Sequence, residues 1–361
     1  MPLRAQRIKT LVVDDAAFMR KALVDILSSD DDIEVVGVAR HGREAIEAVQ
    51  QLDPHVITLD VDMPVMDGLT TIKYIMVRYQ KPVVMVSALA EHGRITLEAL
   101  RLGAVDFFPK PSGTVSYNMH TQARELHQLI KKAFKVDPTV IKRARRPKEM
   151  GKAAFSNEPP GTVVALIADI GSSSALIRML ANLSPRIPVA FLVCQGISGH
   201  ALRSYVKEMD YVMPWKVICK SPVLFQRGLC LISHMNSPWG IRKRGNARFF
   251  EAYIDEKMSV DQMLQQLAQR YGPRACAVIL GGINKDGVRG LKAIQERGGL
   301  SLVLEPRYST CDVAAKAALS ERAAEAAPES ILWAKIEAFG RRWILEKAGE
   351  QKERSRDGQG S

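Results

Sequence analysis

The stretch VITLDVDMPVMDG, residues 56–68, decides the fold of the first part of this chain. It begins with an apolar, β-branched run that is typical of a buried strand, and the run ends at the carboxylate of Asp60. Four similar runs alternate with segments whose apolar residues recur at helical spacing. Five alternations of strand and helix predict a doubly wound parallel sheet, because parallel strands need crossover connections. The four other runs are Thr10–Val13, Glu34–Val38, Val83–Val86 and Val105–Phe108.

Chemically active residues stand where these predicted strands end. Asp14 and Asp15 follow the first strand, Asp60 the third, Ser87 the fourth and Lys110 the fifth. In doubly wound sheets such residues meet beyond the carboxyl ends of the strands. Three carboxylates at one edge repel one another, so we predict that they bind a compensating cation. Mg²⁺ suits them, because it is a hard divalent ion that prefers oxygen ligands. One carboxylate could then attack a phosphoryl group whose oxygens are shared by the metal, a hydroxyl and an ammonium group.

This pattern resembles the receiver domain of two-component response regulators, a flavodoxin-like (CheY-like) fold, over residues 1–113. The resemblance implies a phosphoprotein of a phosphorelay, with a CheA-like histidine kinase as its phosphodonor. It assigns a phosphoacceptor, three metal-binding carboxylates, two phosphoryl contacts and an aromatic switch. The phosphoacceptor is Asp60, and the metal-binding carboxylates are Asp14, Asp15 and Asp60. The phosphoryl contacts are Ser87 and Lys110, and the aromatic switch is Phe107.

A basic linker is predicted after the first domain, over residues 114–161. The run Lys142–Lys148 carries five cationic side chains, and Pro159-Pro160-Gly161 follows it. Charge runs bounded by proline are usually solvated and mobile. Beyond the linker, further strand runs alternate with helical patterns and predict a second doubly wound α/β domain over residues 162–345, followed by a disordered tail, 346–361. The strand runs are Val163–Ala168, Val189–Cys194, Gly228–Ile232, Ala275–Leu280 and Leu300–Leu304.

Three segments of the second domain are similar to the catalytic domain of chemotaxis protein-glutamate methylesterases (CheB type). They are VVALIAD (163–169), MSVDQML (258–264) and VILGGINKDGVRGL (278–291). The resemblance implies a methylesterase-like fold behind a receiver. It also implies a Ser-His-Asp triad that hydrolyses glutamate methyl esters on chemoreceptors and deamidates glutamines. It places the aspartate of that triad at Asp286.

The other two triad positions depart from the family pattern. Aligned without gaps, Asp169 stands where the serine belongs and Gly196 where the histidine belongs. Glycine has no side chain to take a proton, and an aspartate without a neighbouring imidazole does not carry triad chemistry. We therefore predict a pseudoenzyme output domain that acts by protein–protein contact with a chemoreceptor or another signalling protein, because a fold can outlast its chemistry.

An alternative alignment retains the activity. A three-residue gap makes Ser173 the nucleophile and requires His200 as the base, which predicts a working methylesterase/deamidase. The gap falls inside a helix and rotates its apolar face by about 300°, at about 100° per residue. Without the gap, Ser172–Ser174 are interpreted as a helix-capping cluster.

The charge distribution separates the two domains. Residues 1–113 hold 13 Lys and Arg against 16 Asp and Glu, whereas the whole chain has a net charge of +12. Two modules of opposite charge have different partners or attract each other. Nucleic-acid binding is a further hypothesis for the basic part, but no helix-turn-helix, zinc finger or aromatic sheet motif supports it.

Neither membrane insertion nor export is predicted. The longest stretch without a charged residue, 187–202, has 16 residues, fewer than the roughly 20 that a spanning helix needs. The N-terminus lacks the apolar core of a signal peptide, so a cytoplasmic protein is expected. The five cysteines are scattered and include no CxxC pair, which indicates neither a disulfide framework nor a zinc site.

Overall fold

The computed structural model describes residues 7–88, 93–110, 116–145, 155–243 and 250–342. The chain divides into two compact units. The first unit comprises residues 1–146, 170–175 and 196–208, and the second comprises residues 147–169, 176–195 and 209–361. A five-stranded sheet belongs to the first unit, and a seven-stranded and a three-stranded sheet lie in the part of the chain after residue 161.

The five-stranded sheet is parallel throughout, with strand order β2-β1-β3-β4-β5. Two of its three inner strands, β3 and β4, are buried along their whole length, because helices cover both faces of such a sheet. This confirms the predicted doubly wound fold. The strands are β1 Ile8–Val13, β2 Ile33–Ala39, β3 Val56–Leu59, β4 Val83–Ser87 and β5 Asp106–Pro109; the helices are α1 Ala17–Ser28, α2 Gly42–Leu52, α3 Gly68–Arg78, α4 Gly93–Leu102 and α5 Ser116–Ala133.

Helix α5 lies within residues 114–161, which the sequence predicted as a linker. The helix packs against α1, β4 and β5 of the first unit. Its apolar residues Leu126, Ile130 and Ala133 recur at helical spacing and are fully buried. Burying this apolar face holds α5 on the five-stranded sheet, so the packing of the first unit extends well beyond residue 113.

Residues 138–145, which we call the strap, also belong to the first unit. Ala144 is buried; its N–H donates to the Arg101 carbonyl at 3.0 Å, and its carbonyl accepts from the Arg101 guanidinium at 2.6 Å. Arg143 donates to the Lys73 carbonyl at 2.5 Å. This part of the predicted solvated run is thus anchored on α4 by the N–H and the carbonyl of Ala144, and on α3 by the Arg143 side chain. Residues 146–148 of that run lie outside the described residues.

The seven-stranded sheet is also parallel, in the order β15-β14-β13-β6-β7-β10-β8. The sequence did not reveal a small antiparallel sheet, β11-β12-β9, that accompanies it. The strands are β6 Thr162–Ala168, β7 Val189–Gln195, β8 Lys216–Ile218, β9 Val223–Leu224, β10 Leu229–His234, β11 Trp239–Lys243, β12 Phe250–Ile254, β13 Ala275–Gly281, β14 Leu300–Leu304 and β15 Glu325–Ala327.

Helices flank this sheet and leave the loops after β6, β7 and β13 at its carboxyl edge. Residues 329–342 are helical as well, and the predicted tail, 346–361, lies outside the described residues. Within the described ranges, no helix combines the length and the apolar character that crossing a bilayer requires. The helices are α6 Ser173–Asn182, α7 Gly199–Val212, α8 Val260–Tyr271, α9 Val288–Glu296 and α10 Val313–Ser320.

Candidate functional site

An acidic cluster stands at the carboxyl edge of the five-stranded sheet. Asp14, Asp15 and Asp60 each offer a carboxylate oxygen, and these oxygens lie within 4.8 Å of one another. The first and third are buried, whereas Asp15 is exposed. Carboxylate oxygens at this spacing, with one side open to water, suit a Mg²⁺ ion that retains part of its hydration shell. The cluster is therefore compatible with the Mg²⁺ site that the sequence predicts.

The topology brings the two buried carboxylates together. Strands β1 and β3 pair in parallel, with Val13 opposite Leu59, so Asp14 and Asp60 follow neighbouring strand ends. One oxygen of each carboxylate is held by the backbone. Asp60 Oδ1 accepts from the Val61 N–H at 2.7 Å, and Asp14 Oδ1 accepts from the Ala16 N–H at 2.9 Å.

Lys110 bridges the two carboxylates. Its Nζ lies 2.8 Å from Asp14 Oδ2 and 2.7 Å from Asp60 Oδ2. Burial lowers the pKa of this lysine, but its hydrogen bonds to both carboxylates outweigh burial and raise the pKa above its ordinary value. The ammonium group is therefore charged, and it is placed to neutralise an anion that forms beside Asp60.

Burial also shifts the proton equilibrium of Asp60. It raises the pKa of the Asp60 carboxyl, and this exceeds the opposite effect of the ion pair with Lys110. The negative charge of Asp14 adds to the increase. A carboxylate with a raised pKa is more basic, and a more basic oxygen is a better nucleophile toward phosphorus.

Ser87 and Phe107 stand on the same side of the sheet at neighbouring strands. Ser87 is the last residue of β4, and its carbonyl accepts from the Lys110 N–H at 3.2 Å. Phe107 lies opposite Met85 in the pairing of β4 with β5, and its ring is buried. The structure thus gathers the predicted receiver residues at one edge; their assigned roles in phosphorylation stay predictions.

Gly68 was not singled out from the sequence, although it ends the stretch that decides the fold. A Cβ atom at this position would lie 2.0 Å from the Asp60 carbonyl oxygen and 2.9 Å from Val61 Cα. The Gly68 N–H donates to the Val61 carbonyl at 2.8 Å. Helix α3 begins here, with Asp67 as its capping residue. Only glycine lets the start of α3 pass this close to the backbone of Asp60.

In the second unit, Asp169 directly follows β6. It is 8% exposed, and its Oδ2 accepts from the backbone N–H of Ile283 at 3.0 Å. The Asp169 N–H approaches the Gly281 carbonyl at 3.4 Å. The side chain at the position of the family serine is thus a carboxylate bonded to the loop after β13.

Asp286, the position of the family aspartate, stabilises the start of α8. Its two oxygens accept from the N–H groups of Val260 and Asp261, at 3.0 and 2.9 Å. The sequence did not predict this arrangement, because it joins residues about 25 positions apart. Asp286 therefore caps a helix whose first N–H groups have no intrahelical partner.

Removing this carboxylate is expected to cost stability. Asp286→Ala leaves two N–H groups without their acceptor and should lower the free energy of unfolding by about 1–2 kcal/mol, measured in urea. Asp312→Ala is the matched control, because Asp312 precedes α10 without a side-chain capping bond and should change stability by less than about 0.5 kcal/mol. Equal effects of the two substitutions would contradict the capping role.

The remaining predicted residues have different environments. Gly196 follows β7, and its position offers no side chain to accept a proton. Ser173 begins α6 and is fully buried. Ser172 and Ser174 are buried as well. The side chain of His200, in the first turn of α7, is 57% exposed. The alternative nucleophile and base thus differ in their access to solvent.

The chain was compared with known families and sequences. Residues 10–118 match the family described as response regulator receiver domain, and residues 164–335 match CheB methylesterase. A protein of Pyrococcus abyssi named protein-glutamate methylesterase/protein-glutamine glutaminase is 34% identical over 330 residues, covering 88% of this chain and 89% of the relative. A Thermotoga maritima protein of the same name is 34% identical over 313 residues, covering 85% and 90%.

Among solved structures, the chain is similar to two domains of Thermotoga maritima CheB. The response regulator domain of Thermotoga maritima CheB is 48% identical, covers 37% of this chain and all of that chain, and has a TM-score of 0.35. The Thermotoga maritima CheB methylesterase catalytic domain is 19% identical, covers 49% of this chain and 98% of that chain, and has a TM-score of 0.46.

Proposed function

This chain belongs to the CheB-type response regulators, the family of protein-glutamate methylesterases/protein-glutamine glutaminases, and from that premise we propose that it is a phosphorylation-controlled signalling protein whose output domain has lost its esterase chemistry. A CheA-like histidine kinase supplies the phosphoryl group to Asp60. The output domain then acts by contact with a chemoreceptor or another signalling protein.

The receiver half of the proposal is supported by the bridged acidic cluster. Asp14, Asp15 and Asp60 would hold Mg²⁺, which would supply positive charge beside the phosphoryl oxygens. Asp60 attacks phosphorus with a carboxylate oxygen while the bond from phosphorus to the histidine nitrogen of the kinase breaks, and that nitrogen leaves with the electron pair. Lys110 then moves its contact from the Asp60 carboxylate to the oxygens of the transferred phosphoryl group. Ser87, at the end of β4, provides a hydroxyl for a further hydrogen bond.

The output half depends on one observation, the glycine that stands where the family alignment has its histidine base. Gly196 replaces the imidazole, and a positioned general base contributes about 10²–10⁴-fold to such reactions. Asp169 replaces the serine and is bonded to Ile283, and Asp286 is bonded to the start of α8. A carboxylate at the nucleophile position also repels the oxyanion that ester hydrolysis must form.

The second candidate function is a working methylesterase/deamidase that uses Ser173 and His200. Hydrolysis by this pair requires the buried hydroxyl and the exposed imidazole to come within about 3 Å. The two candidates predict opposite results in one assay, which therefore decides between them.

We expect no methanol release above background when the full chain is mixed with methyl-esterified chemoreceptor, with or without Mg²⁺ and a phosphodonor. The Thermotoga maritima methylesterase provides the positive control. Ser173→Ala should give the same background as the unaltered chain. Robust release that disappears in Ser173→Ala would establish the gapped alignment and contradict the loss of activity.

A further inference from the structure

The Ile283 N–H is held in a fixed orientation by its neighbours. In the pairing of β13 with β6 the register shifts between Ile279 and Gly281, and such a bulge redirects the chain that follows. The Gly282 N–H donates to the Cys311 carbonyl at 3.0 Å, and the Gly282 carbonyl accepts from Ala314 at 3.3 Å. This loop is therefore anchored by hydrogen bonds to the residues before and within the first turn of α10.

The anchored N–H is directed at the position that the family serine would occupy. A backbone N–H about 3 Å from such a position is a donor for a carbonyl oxygen or an oxyanion. Here that donor already binds the Asp169 carboxylate, at 3.0 Å. Hydrogen bonds to ionised acceptors are about twice as strong as neutral ones, and Asp169 is covalently part of the chain, so it competes at high effective concentration.

We propose that Asp169 is a resident anion that occupies the anion-accepting N–H of Ile283, and that removing its side chain creates a binding site for one small carboxylate. The proposal rests on the proposed loss of esterase activity, because it assigns a role to the residue at the nucleophile position. An ester carbonyl or a glutamate carboxylate finds the donor taken and a like charge beside it. Neither an ester carbonyl nor a glutamate carboxylate can therefore bind to the Ile283 N–H while Asp169 occupies it.

Acetate is the probe for this site, and the amide resonance of Ile283 is the readout. The full chain is labelled with ¹⁵N-isoleucine, and the resonance is identified by its loss in Ile283→Val. Acetate then replaces chloride at constant ionic strength. We expect no saturable shift in the unaltered chain and a saturable shift in Asp169→Ala, with a midpoint of about 10–100 mM for a single charge-assisted hydrogen bond.

Two further variants control the result. Asp169→Asn retains an oxygen that can accept from Ile283, so it should not respond to acetate. Asp255→Ala removes a carboxylate that accepts from the Lys257 N–H at 2.9 Å in an exposed turn, where water replaces it; the neighbouring Ile254 amide should stay unmoved.

A saturable acetate shift of Ile283 in the unaltered chain would overturn the proposal, whether or not the Asp169→Ala chain folds. No shift in a folded Asp169→Ala chain would overturn it as well. Neither result contradicts the proposed loss of esterase activity, because methanol release alone tests that loss. Methanol release, in turn, would contradict the proposed function whatever acetate does.

Discussion

Replacing Asp60 with asparagine is expected to reduce phosphoryl incorporation from full labelling to background. Only a carboxylate oxygen can form the acyl phosphate, and the asparagine amide is not a nucleophile of this kind. The other carboxylates of the cluster remain in Asp60→Asn, and Asp14 keeps its own contacts with a backbone N–H and with Lys110. Background labelling of this variant would therefore show that the remaining carboxylates do not accept the phosphoryl group. Incorporation should also depend on Mg²⁺, because three clustered carboxylates otherwise repel a phosphodonor.

The experiment uses a labelled small-molecule phosphodonor with the full chain, with and without Mg²⁺. Asp62→Asn is the matched control, since it makes the same chemical change two residues away at an exposed position. The control should be labelled as well as the unaltered chain. Undiminished labelling of Asp60→Asn, or labelling lost equally in Asp62→Asn, would contradict the assignment of the phosphoacceptor.

Gly68→Ala is expected to lower the free energy of unfolding of the receiver by about 3 kcal/mol or more. Its Cβ would overlap the Asp60 carbonyl and approach Val61 Cα, and both are backbone atoms that cannot rotate away. The strain therefore falls on the segment that carries Asp60. Labelling of Asp60 should fall in the same variant, because displacing this carboxylate separates it from Lys110.

Gly199→Ala serves as the control, because Gly199 also begins a helix but a Cβ there meets nothing within 4 Å. It should leave stability unchanged or raise it by about 0.4–1 kcal/mol. Hydrogen–deuterium exchange of the full chain in urea reports on the receiver peptides separately from the rest. Equal stability of the two variants would show that the close approach at Gly68 has no energetic weight.

The sequence predicted ten of the twelve parallel strands that the described residues form, because buried strands are continuous apolar runs, and it missed the short edge strands β8 and β15. It did not predict the small antiparallel sheet, since β9 has two residues and pairs with β12 across a long sequence separation. The stretch Gln122–Phe134 shows a helical pattern and was still placed in the linker, because the sequence does not show that this helix packs against α1, β4 and β5. Local patterns report burial, whereas they carry little information on which distant segment provides it.

The acidic cluster and the contact of Asp169 with Ile283 differ in how far the sequence predicts them. Asp14, Asp60 and Lys110 could be brought together from sequence alone, because each ends a strand of one parallel sheet. The contact of Asp169 with Ile283 could not, because its donor is a backbone N–H whose direction depends on a bulge and on a loop 114 residues away. Side-chain types are visible in a sequence, but the orientation of a peptide group is not.

The anchored strap also limits how far the chain can extend. Ala144 is fixed on the first unit, and Ser156 is fixed on the second unit, where its N–H donates to the Arg227 carbonyl at 3.1 Å. Twelve peptide units join these two residues, and at about 3.3–3.6 Å each their contour length is about 40–43 Å. A connection of residues 114–161 would reach roughly four times as far. The stretch between these two residues can therefore span no more than about 40 Å.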